Sequence, residues 1–115
     1  MAERTIFEKI VAGEIPCKKV AENEKFLAFY DIAPQAPVHI LAIPKACVKD
    51  FSCASKELLG GLCEFAQEVA RIVGIEESGY RVITNIGVNG GQEVPHLHLH
   101  ILGGKKLPSI INAKD

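Results

Sequence analysis

The sequence predicts a single α+β domain, in which an antiparallel sheet of about five strands carries one long and one short helix. Three observations lead to this fold class. Short apolar segments are separated by turn-forming residues, the helical segments are grouped rather than alternating with strands, and no internal repeat or linker interrupts the chain. The length of 115 residues, of which 48% are hydrophobic, suits one domain with a real core over residues 1–115.

The first predicted element is a short helix. Thr5 and Glu8 have the spacing of a capping box, in which the threonine hydroxyl accepts from an early helix N–H and the glutamate reaches back. Gly13 ends this helix, and Pro16 is a further stop. Three strand candidates follow, at 18–21, 26–30 and 38–43. A turn at 22–25 separates the first two, and a proline-containing loop at 31–37 separates the last two.

The next element is the only long helix, with Ser55 as its N-cap and apolar residues at helical spacing over 58–72. Gly60 and Gly61 either weaken its first turns, by about 1 kcal/mol each relative to alanine, or permit the close approach of another helix. Gly74 ends the helix. The remaining elements are a strand at 80–84, a loop rich in glycine and asparagine at 85–92, and a strand at 95–102.

Composition and charge exclude several classes of partner. A formal net charge of −1 provides no electrostatic footprint for nucleic acid or an anionic membrane, so local groups must hold any phosphate-bearing ligand. No apolar stretch approaches the roughly 20 residues that span a bilayer. Because Met1-Ala2-Glu3-Arg4 also lacks the pattern of a secretory signal, we expect a cytoplasmic protein that binds a small nucleotide rather than a polymer.

The cysteines are spaced irregularly, without a Cys-x-x-Cys pair, at Cys17, Cys47, Cys53 and Cys63. Their number alone permits two disulfides in a secreted fold. Without a secretory signal, reduced and mostly buried thiols are the better interpretation, and a zinc knuckle has little support.

Three of the four histidines alternate with apolar residues in the predicted last strand. Because successive side chains of a strand point to opposite faces, His96, His98 and His100 share one face, about 6.5 to 7 Å apart. Leu97 and Leu99 point the other way, into the core.

Such a row of imidazoles has three interpretations. Three histidines and a water can form a catalytic zinc centre, but alternate positions on a flat strand converge poorly on one ion, so His39 would have to supply a ligand. The second interpretation is a solvated strand face that is rich in histidine. The third is phosphorus chemistry, because a neutral imidazole is both a nucleophile and a proton carrier. Only the third also uses the glycine-rich loop, whose amides can bind phosphoryl oxygens.

The histidine triad superfamily has a signature of three histidines alternating with apolar residues, and this chain matches it with His96-Leu97-His98-Leu99-His100-Ile101-Leu102. With its flanks at 90–94 and Gly103-Gly104, the chain resembles the nucleoside phosphoramidase branch, commonly called Hint. The resemblance spans nearly the whole chain and includes these upstream segments: Thr5-Ile6-Phe7, Gly13-Glu14-Ile15-Pro16, 29–37 and His39.

This resemblance implies a HIT-like fold, a homodimer whose two sheets join into one, and a nucleoside 5′-monophosphate bound on each sheet surface without a metal or other cofactor. The family's nucleophile is the middle histidine, here His98. It would attack the α-phosphorus, expel an amine and form a nucleotidyl-histidine that water hydrolyses. His100 and His39 would flank the phosphate and assist proton transfer. His96 would lie behind the reacting groups and orient them.

The resemblance also implies a set of substrate-binding residues. Asp31 would accept two ribose hydroxyls, although an aspartate ahead of a proline loop is also a common turn former. The apolar base pocket corresponds to Ile6, Phe7, Ile10, Phe29, Tyr30 and Ile32. The phosphate-facing loop corresponds to Asn85, Gly91, Gln92, Glu93 and Val94.

The chain departs from the family pattern in two respects. Many relatives have a hydroxyl residue at the position of Glu93, whose carboxylate would repel a phosphate, so we expect Glu93 to turn outward and contribute only its backbone N–H. Some relatives bind a structural zinc through cysteines at the positions of Thr5 and Glu8, so that zinc site is not expected here.

The leading hypothesis is a metal-free phosphoramidase that acts on a purine nucleoside monophosphate linked to an amine. A diadenosine polyphosphate hydrolase of a sister branch is an alternative, disfavoured because such chains usually follow the triad with a more basic segment than Gly103-Gly104. A non-catalytic adenine-nucleotide binding or adaptor protein is another, disfavoured by the intact His98 and His100. No role is predicted for residues 105–115.

Overall fold

A computed structural model of the chain describes residues 4–110, so the last part of the C-terminal tail, 111–115, lies outside the described residues. Its helices are α1 (Ile6–Val11), a 3-10 turn at Phe51–Cys53, and α2 (Lys56–Ile72). Its strands are β1 (Lys19–Glu22), β2 (Phe26–Tyr30), β3 (Val38–Pro44), β4 (Tyr80–Ile83) and β5 (Leu99–Gly103). The strands form one antiparallel sheet in the order β1-β2-β3-β5-β4, which confirms the predicted fold class.

The helix ends follow from local capping chemistry. In α1, the Thr5 hydroxyl accepts from the Glu8 N–H at 3.1 Å, and the Glu8 carboxylate accepts from the Thr5 N–H at 2.9 Å, which is the predicted capping box. In α2, the Ser55 hydroxyl accepts from the N–H of Leu58. Gly74 ends α2 with a φ of +77°, a left-handed conformation that glycine adopts without strain.

The sheet has a different partner on each face. The 17-residue α2 covers one face and buries Leu62, Phe65 and Val69 against β2, β3 and β5. On the other face, the six-residue α1 packs Phe7 against a smaller apolar cluster that includes Phe29 and Leu41. Since α1 is too short to cover that face, part of it stays open, and this is where the histidines lie.

The histidine run differs from its prediction at its start, because β5 begins at Leu99 rather than at residue 95. The N–H of His96 bonds to the Val94 carbonyl in a tight turn, and the N–H of Leu97 bonds to the Val48 carbonyl in a loop. These two N–H groups therefore donate outside the sheet, and the strand begins only after them. The division between the two faces holds, since Leu97 and Leu99 join the cluster under α2.

The spacing of the imidazoles also differs from the prediction. The ring centroids of His98 and His100 are 5.0 Å apart, closer than the strand repeat alone indicates. The side chains tilt toward each other, with an angle of 69° between the ring planes. Contact between the rings is therefore direct.

The cysteine prediction was partly wrong. All four thiols are free, but Cys47, Cys53 and Cys63 are exposed and only Cys17 is partly buried. Cys63 lies next to the buried Leu62 on α2, and successive helical positions point in different directions. Within residues 4–110, no helix has the length and apolar character required to cross a bilayer.

The glycine pair of α2 has two different environments. A Cβ built on Gly61 would lie 2.9 Å from the ring of Phe26, whereas one built on Gly60 has no neighbour within 4 Å. The Phe26 ring is buried and stacks on Phe65 with centroids 5.5 Å apart, so it has little room to move. Gly61 thus permits the close approach of a phenyl ring from β2, not of a second helix.

We predict opposite effects of alanine at the two glycines. Gly60→Ala should raise the free energy of unfolding by about 1 kcal/mol, because alanine is the better helix former. Gly61→Ala should lower it by about 1 kcal/mol, since overpacking against Phe26 exceeds the gain in propensity. Urea unfolding of the two variants measures both values. Equal stabilisation by the two substitutions would contradict the assigned contact.

Candidate active site

An open cleft of about 670 Å³ lies on the face of the sheet that α1 only partly covers. It is bounded by α1, the ends of β2 and β3 with the loop between them, the loop after β4, and β5. Among the predicted site residues, those that line the cleft are His39, His98, His100, Asp31, Ile32, Ile6, Phe7, Ile10, Phe29, Tyr30, Asn85, Gly91, Glu93 and Val94. His96 and Gln92 are the predicted residues that do not.

The cleft has further lining residues that the sequence analysis did not assign to it: Ile15, Pro16, Cys17, Ala33, Gln35 and Leu41. Ile15 and Pro16 belong to a segment that carries the family resemblance, and this resemblance could have identified them as lining residues. Leu41 alternates with the buried Ile40 along β3, so it shares the cleft face with His39. Nothing in the local pattern distinguishes Cys17 from a core residue.

Aromatic packing holds the His98 ring on the cleft wall. The ring of Phe7 meets it edge-on with centroids 5.0 Å apart, and Phe7 also packs edge-on against Phe29 at 5.9 Å. His98 is only 7% exposed. The short helix α1 thus serves to press one ring against the central histidine.

The tautomer of His98 follows from its hydrogen bond. Its Nδ1 lies 2.7 Å from the backbone carbonyl oxygen of His96, which can only accept, so Nδ1 carries the proton. In the uncharged ring the lone pair is then on Nε2. His98 has the electronic arrangement of a nucleophile.

His39 and His100 form a second chain of hydrogen bonds. The N–H of Gln35 donates to His39 Nδ1 at 3.0 Å, which leaves the proton of the uncharged His39 on Nε2. His39 Nε2 lies 3.0 Å from His100 Nδ1 and donates to it. The proton of His100 is therefore on Nε2. A backbone amide sets both tautomers.

Burial keeps these rings uncharged at neutral pH. Burial lowers the pKa of His39, and the nearby Asp31 carboxylate only partly opposes this. Burial, together with the neighbouring His98 and His39, lowers the pKa of His100 to about 4. The contact of 3.5 Å between His39 Nε2 and Asp31 is consequently not an ion pair near pH 7.

His96 lies behind the cleft rather than in it. Its side chain is fully buried, Nε2 donates to the Pro44 carbonyl at 2.9 Å, and Nδ1 is 3.5 Å from the Thr5 hydroxyl. Burial lowers the pKa of His96. Its backbone carbonyl holds His98, and its ring packs edge-on against Phe7 with centroids 5.8 Å apart.

Gln92 holds the glycine-rich loop in place. Its side-chain amide donates to the carbonyls of Lys49 and Val94, and its carbonyl oxygen accepts from the N–H of Gly87. These bonds tie the two ends of the loop together and attach it to the segment before α2. Gln92 therefore shapes the loop that lines the cleft without lining it.

The two carboxylates of the cleft differ in their hydrogen bonding. Asp31 Oδ1 accepts from the N–H of Ala33 at 2.8 Å, which is the turn-forming role, while the residue also lines the cleft. Glu93 is exposed, and within residues 4–110 its carboxylate takes part in no hydrogen bond or ion pair. Both carboxylates are available to a ligand, but only Asp31 is held.

Asp31, His39 and His100 place three ligand atoms within 4.8 Å of one another, a set that could hold a metal ion. A metal-binding histidine normally donates from its other ring nitrogen. His39 Nδ1 instead accepts from the Gln35 amide, so Nε2 has a proton where a metal would need a lone pair. The donor set fits a hydrogen-bonded chain better than a metal centre.

Comparison with known proteins identifies relatives over nearly the whole chain. The family profile described as HIT domain matches residues 12–107. The chain is 54% identical to a HIT-like protein of Helicobacter pylori, over 88% of this chain and 97% of that protein. It is 45% identical to the purine nucleoside phosphoramidase of Escherichia coli, over 99% of this chain and 98% of that enzyme.

Solved structures give the same result. A histidine triad protein from Clostridium difficile superposes with a TM-score of 0.89 at 43% identity, over 96% of this chain and all of that one. A HIT family hydrolase from Legionella pneumophila superposes with a TM-score of 0.87 at 42% identity, over 91% and 96% of the two chains.

The lowered pKa values predict a loss of stability in mild acid. Unfolded histidines bind protons near their ordinary pKa of about 6.5, whereas His100 in the folded protein does so only at about 4. Its contribution is complete above pH 6.5 and is lost as the pH falls toward 4. We expect the free energy of unfolding to fall by about 2 kcal/mol between pH 7 and 5.

Urea unfolding at pH 7, 6 and 5 measures this dependence. His100→Asn cannot take up the proton and should show a smaller loss over the same range, whatever its stability at pH 7. An equal loss in the native chain and in His100→Asn would refute the assignment to His100.

Proposed function

The chain belongs to the histidine triad (HIT) family, and from this we propose that it hydrolyses the P–N bond of purine nucleoside 5′-phosphoramidates. The observation that carries the proposal is the hydrogen bond from His98 Nδ1 to the His96 carbonyl, which leaves the lone pair of Nε2 for attack. The similarity to a purine nucleoside phosphoramidase over nearly the full length of both chains supports the choice of reaction.

In the first step, Nε2 of His98 attacks the α-phosphorus and forms a P–N bond. The bond to the leaving amine breaks, and the amine nitrogen takes up a proton from solvent water in the open cleft. Positive charge develops on the imidazole, and the His96 carbonyl oxygen stabilises it by accepting from Nδ1 at 2.7 Å. Division of one displacement into two easier ones is the usual benefit of covalent catalysis.

In the second step, water attacks the phosphorus of the nucleotidyl-histidine. The attacking water gives up a proton to solvent and the bond to His98 breaks. The nucleoside monophosphate is then released, and the ring regains its lone pair. Both steps need a donor for the charge on the phosphoryl oxygens. His100 Nε2–H can donate there, because His100 Nδ1 already accepts from His39.

The remaining groups of the cleft suit a nucleoside. The apolar wall contributed by α1 and β2 offers a surface for a purine ring, with Phe7 and Phe29 at its centre. Asp31 has the acceptor oxygens for ribose hydroxyls. In the loop at 85–92 the N–H groups of Gly87, Gly91 and Gln92 already donate within the loop, so the other amides are the ones open to a phosphate.

The alternatives have less support. A dinucleoside polyphosphate carries several negative charges, yet among residues 4–110 no lysine or arginine lines the cleft. A non-catalytic nucleotide-binding protein has no need for a histidine whose tautomer exposes a nucleophilic nitrogen. The lack of cationic side chains thus disfavours the first alternative, and the tautomer of His98 disfavours the second.

We also propose that the active protein is a homodimer with a continuous sheet. β4 is an edge strand, and its Val82 is 46% exposed. Ile72 at the end of α2 is 54% exposed. An edge strand with unpaired backbone groups beside exposed apolar side chains is suited to pairing with a second copy.

The proposed reaction predicts a dependence on His98 and none on a metal. AMP release from an adenosine 5′-phosphoramidate should continue in EDTA and fall by at least about 10³-fold in His98→Ala, because no other group replaces the nucleophile. Retained AMP binding and an unchanged urea midpoint show that the variant is folded. Activity abolished by EDTA, or retained in His98→Ala, would contradict the mechanism.

The proposed dimer predicts that a charge on the β4 edge disrupts it. Val82→Lys places a charge at the edge of the sheet and should shift a dimer to monomer in analytical ultracentrifugation. Glu24→Lys, in the turn between β1 and β2, introduces the same residue at the opposite edge and should leave the dimer intact. Equal masses for the two variants would count against the β4 interface.

A further inference from the structure

The cleft has an unusual balance of charge for a site that binds a phosphate ester. Its carboxylates are Asp31 and Glu93, it also contains three histidines, and among residues 4–110 no lysine or arginine lines it. Burial lowers the pKa of His39 and of His100, so neither ring supplies a cation at neutral pH. The cleft is therefore negative before a ligand enters.

The two carboxylates cannot play the same part. Asp31 is fixed by its bond to the Ala33 amide and lies 3.5 Å from His39 Nε2. Glu93 is exposed, and the described hydrogen bonds and ion pairs do not include its carboxylate. It sits in the loop that leads into the histidine run, three residues after Gly90 and five before His98. Glu93 thus combines a place in the lining of the cleft with an exposed carboxylate.

We propose that Glu93 selects the leaving group by charge, so that the preferred substrates are phosphoramidates whose amine portion bears a second, cationic group. This inference rests on the proposed function and specifies its substrate class. A phosphoramidate monoester has a single negative charge on phosphorus, which the uncharged donors of the cleft can accommodate. An ammonium group on the departing amine would then meet Glu93, whereas a carboxylate there would be repelled.

The same charge favours release of the product. The nucleoside monophosphate carries up to two negative charges at neutral pH, since the second phosphate pKa is near about 6. A negative cleft holds it less well than the singly charged substrate. Glu93 would therefore act in selection and in turnover without taking part in bond cleavage.

Exposure limits the size of the effect. We expect a preference of about 1.4- to five-fold in kcat/KM, which corresponds to the roughly 0.2–1 kcal/mol that is typical of exposed ion pairs. Added salt should reduce the preference, because exposed charges are screened over about 10 Å at 0.1 M ionic strength.

The test uses three adenosine 5′-phosphoramidates whose amine chains have equal length and end in an ammonium, a methyl or a carboxylate group. For the native chain we expect kcat/KM to decrease in that order. In Glu93→Gln, the ratio of ammonium to carboxylate substrate should fall toward one. Glu68→Gln removes the same charge from the exposed face of α2, away from the cleft, and should retain the native ratio.

Binding of the same compounds to His98→Ala, which lacks the nucleophile, separates this inference from the proposed reaction. Affinities that follow the order of charge, and lose it on the additional substitution Glu93→Gln, support the inference even if the native chain cleaves none of the compounds. Cleavage with equal kcat/KM for all three overturns the inference and leaves the phosphoramidase function standing. A preference that persists in Glu93→Gln overturns the role of Glu93.

Discussion

The hydrogen bond from His98 Nδ1 to the backbone carbonyl of His96 connects the core of the protein to its chemistry. The position of that carbonyl depends on the His96 ring, which is fully buried and anchored to the Pro44 carbonyl. Pro44 ends the central strand β3. The tautomer of His98 is therefore a consequence of core packing, and no separate base is needed to leave a lone pair on its Nε2.

The asymmetry of the two helices creates the site. α2 covers one face of the sheet over 17 residues, whereas α1 has six and covers only part of the other. A longer α1 would bury the histidines, and without α1 the ring of Phe7 would not press against His98. The cleft is the area of sheet that the shorter helix leaves open, with a wall that is apolar at one end and polar at the other.

Burial rather than charge controls the electrostatics of this cleft. His39 and His100 are partly enclosed, so their pKa values fall and their protons are fixed by neighbours. A phosphoryl group would meet directed N–H donors instead of cations. Such an arrangement suits a singly charged ester and leaves the exposed Glu93 as the group through which charge can discriminate between ligands.

Much of this could be read from local patterns in the chain. The capping residues and the apolar periodicities identify the helices and strands, and the alternation of histidine with leucine separates the two faces of the sheet, because these signals depend on neighbouring residues alone. The start of β5 could not be read in this way, since Leu97 bonds to Val48, a residue far away in the chain. The tautomers of His39 and His98 depend on the Gln35 amide and the His96 carbonyl, and the lowered pKa values depend on burial by several elements. The bonds that set these tautomers join residues only two and four positions apart, but the backbone that forms them is fixed by distant segments, as when the His96 ring bonds to Pro44. Tertiary structure therefore determined which nitrogen of His98 carries the lone pair.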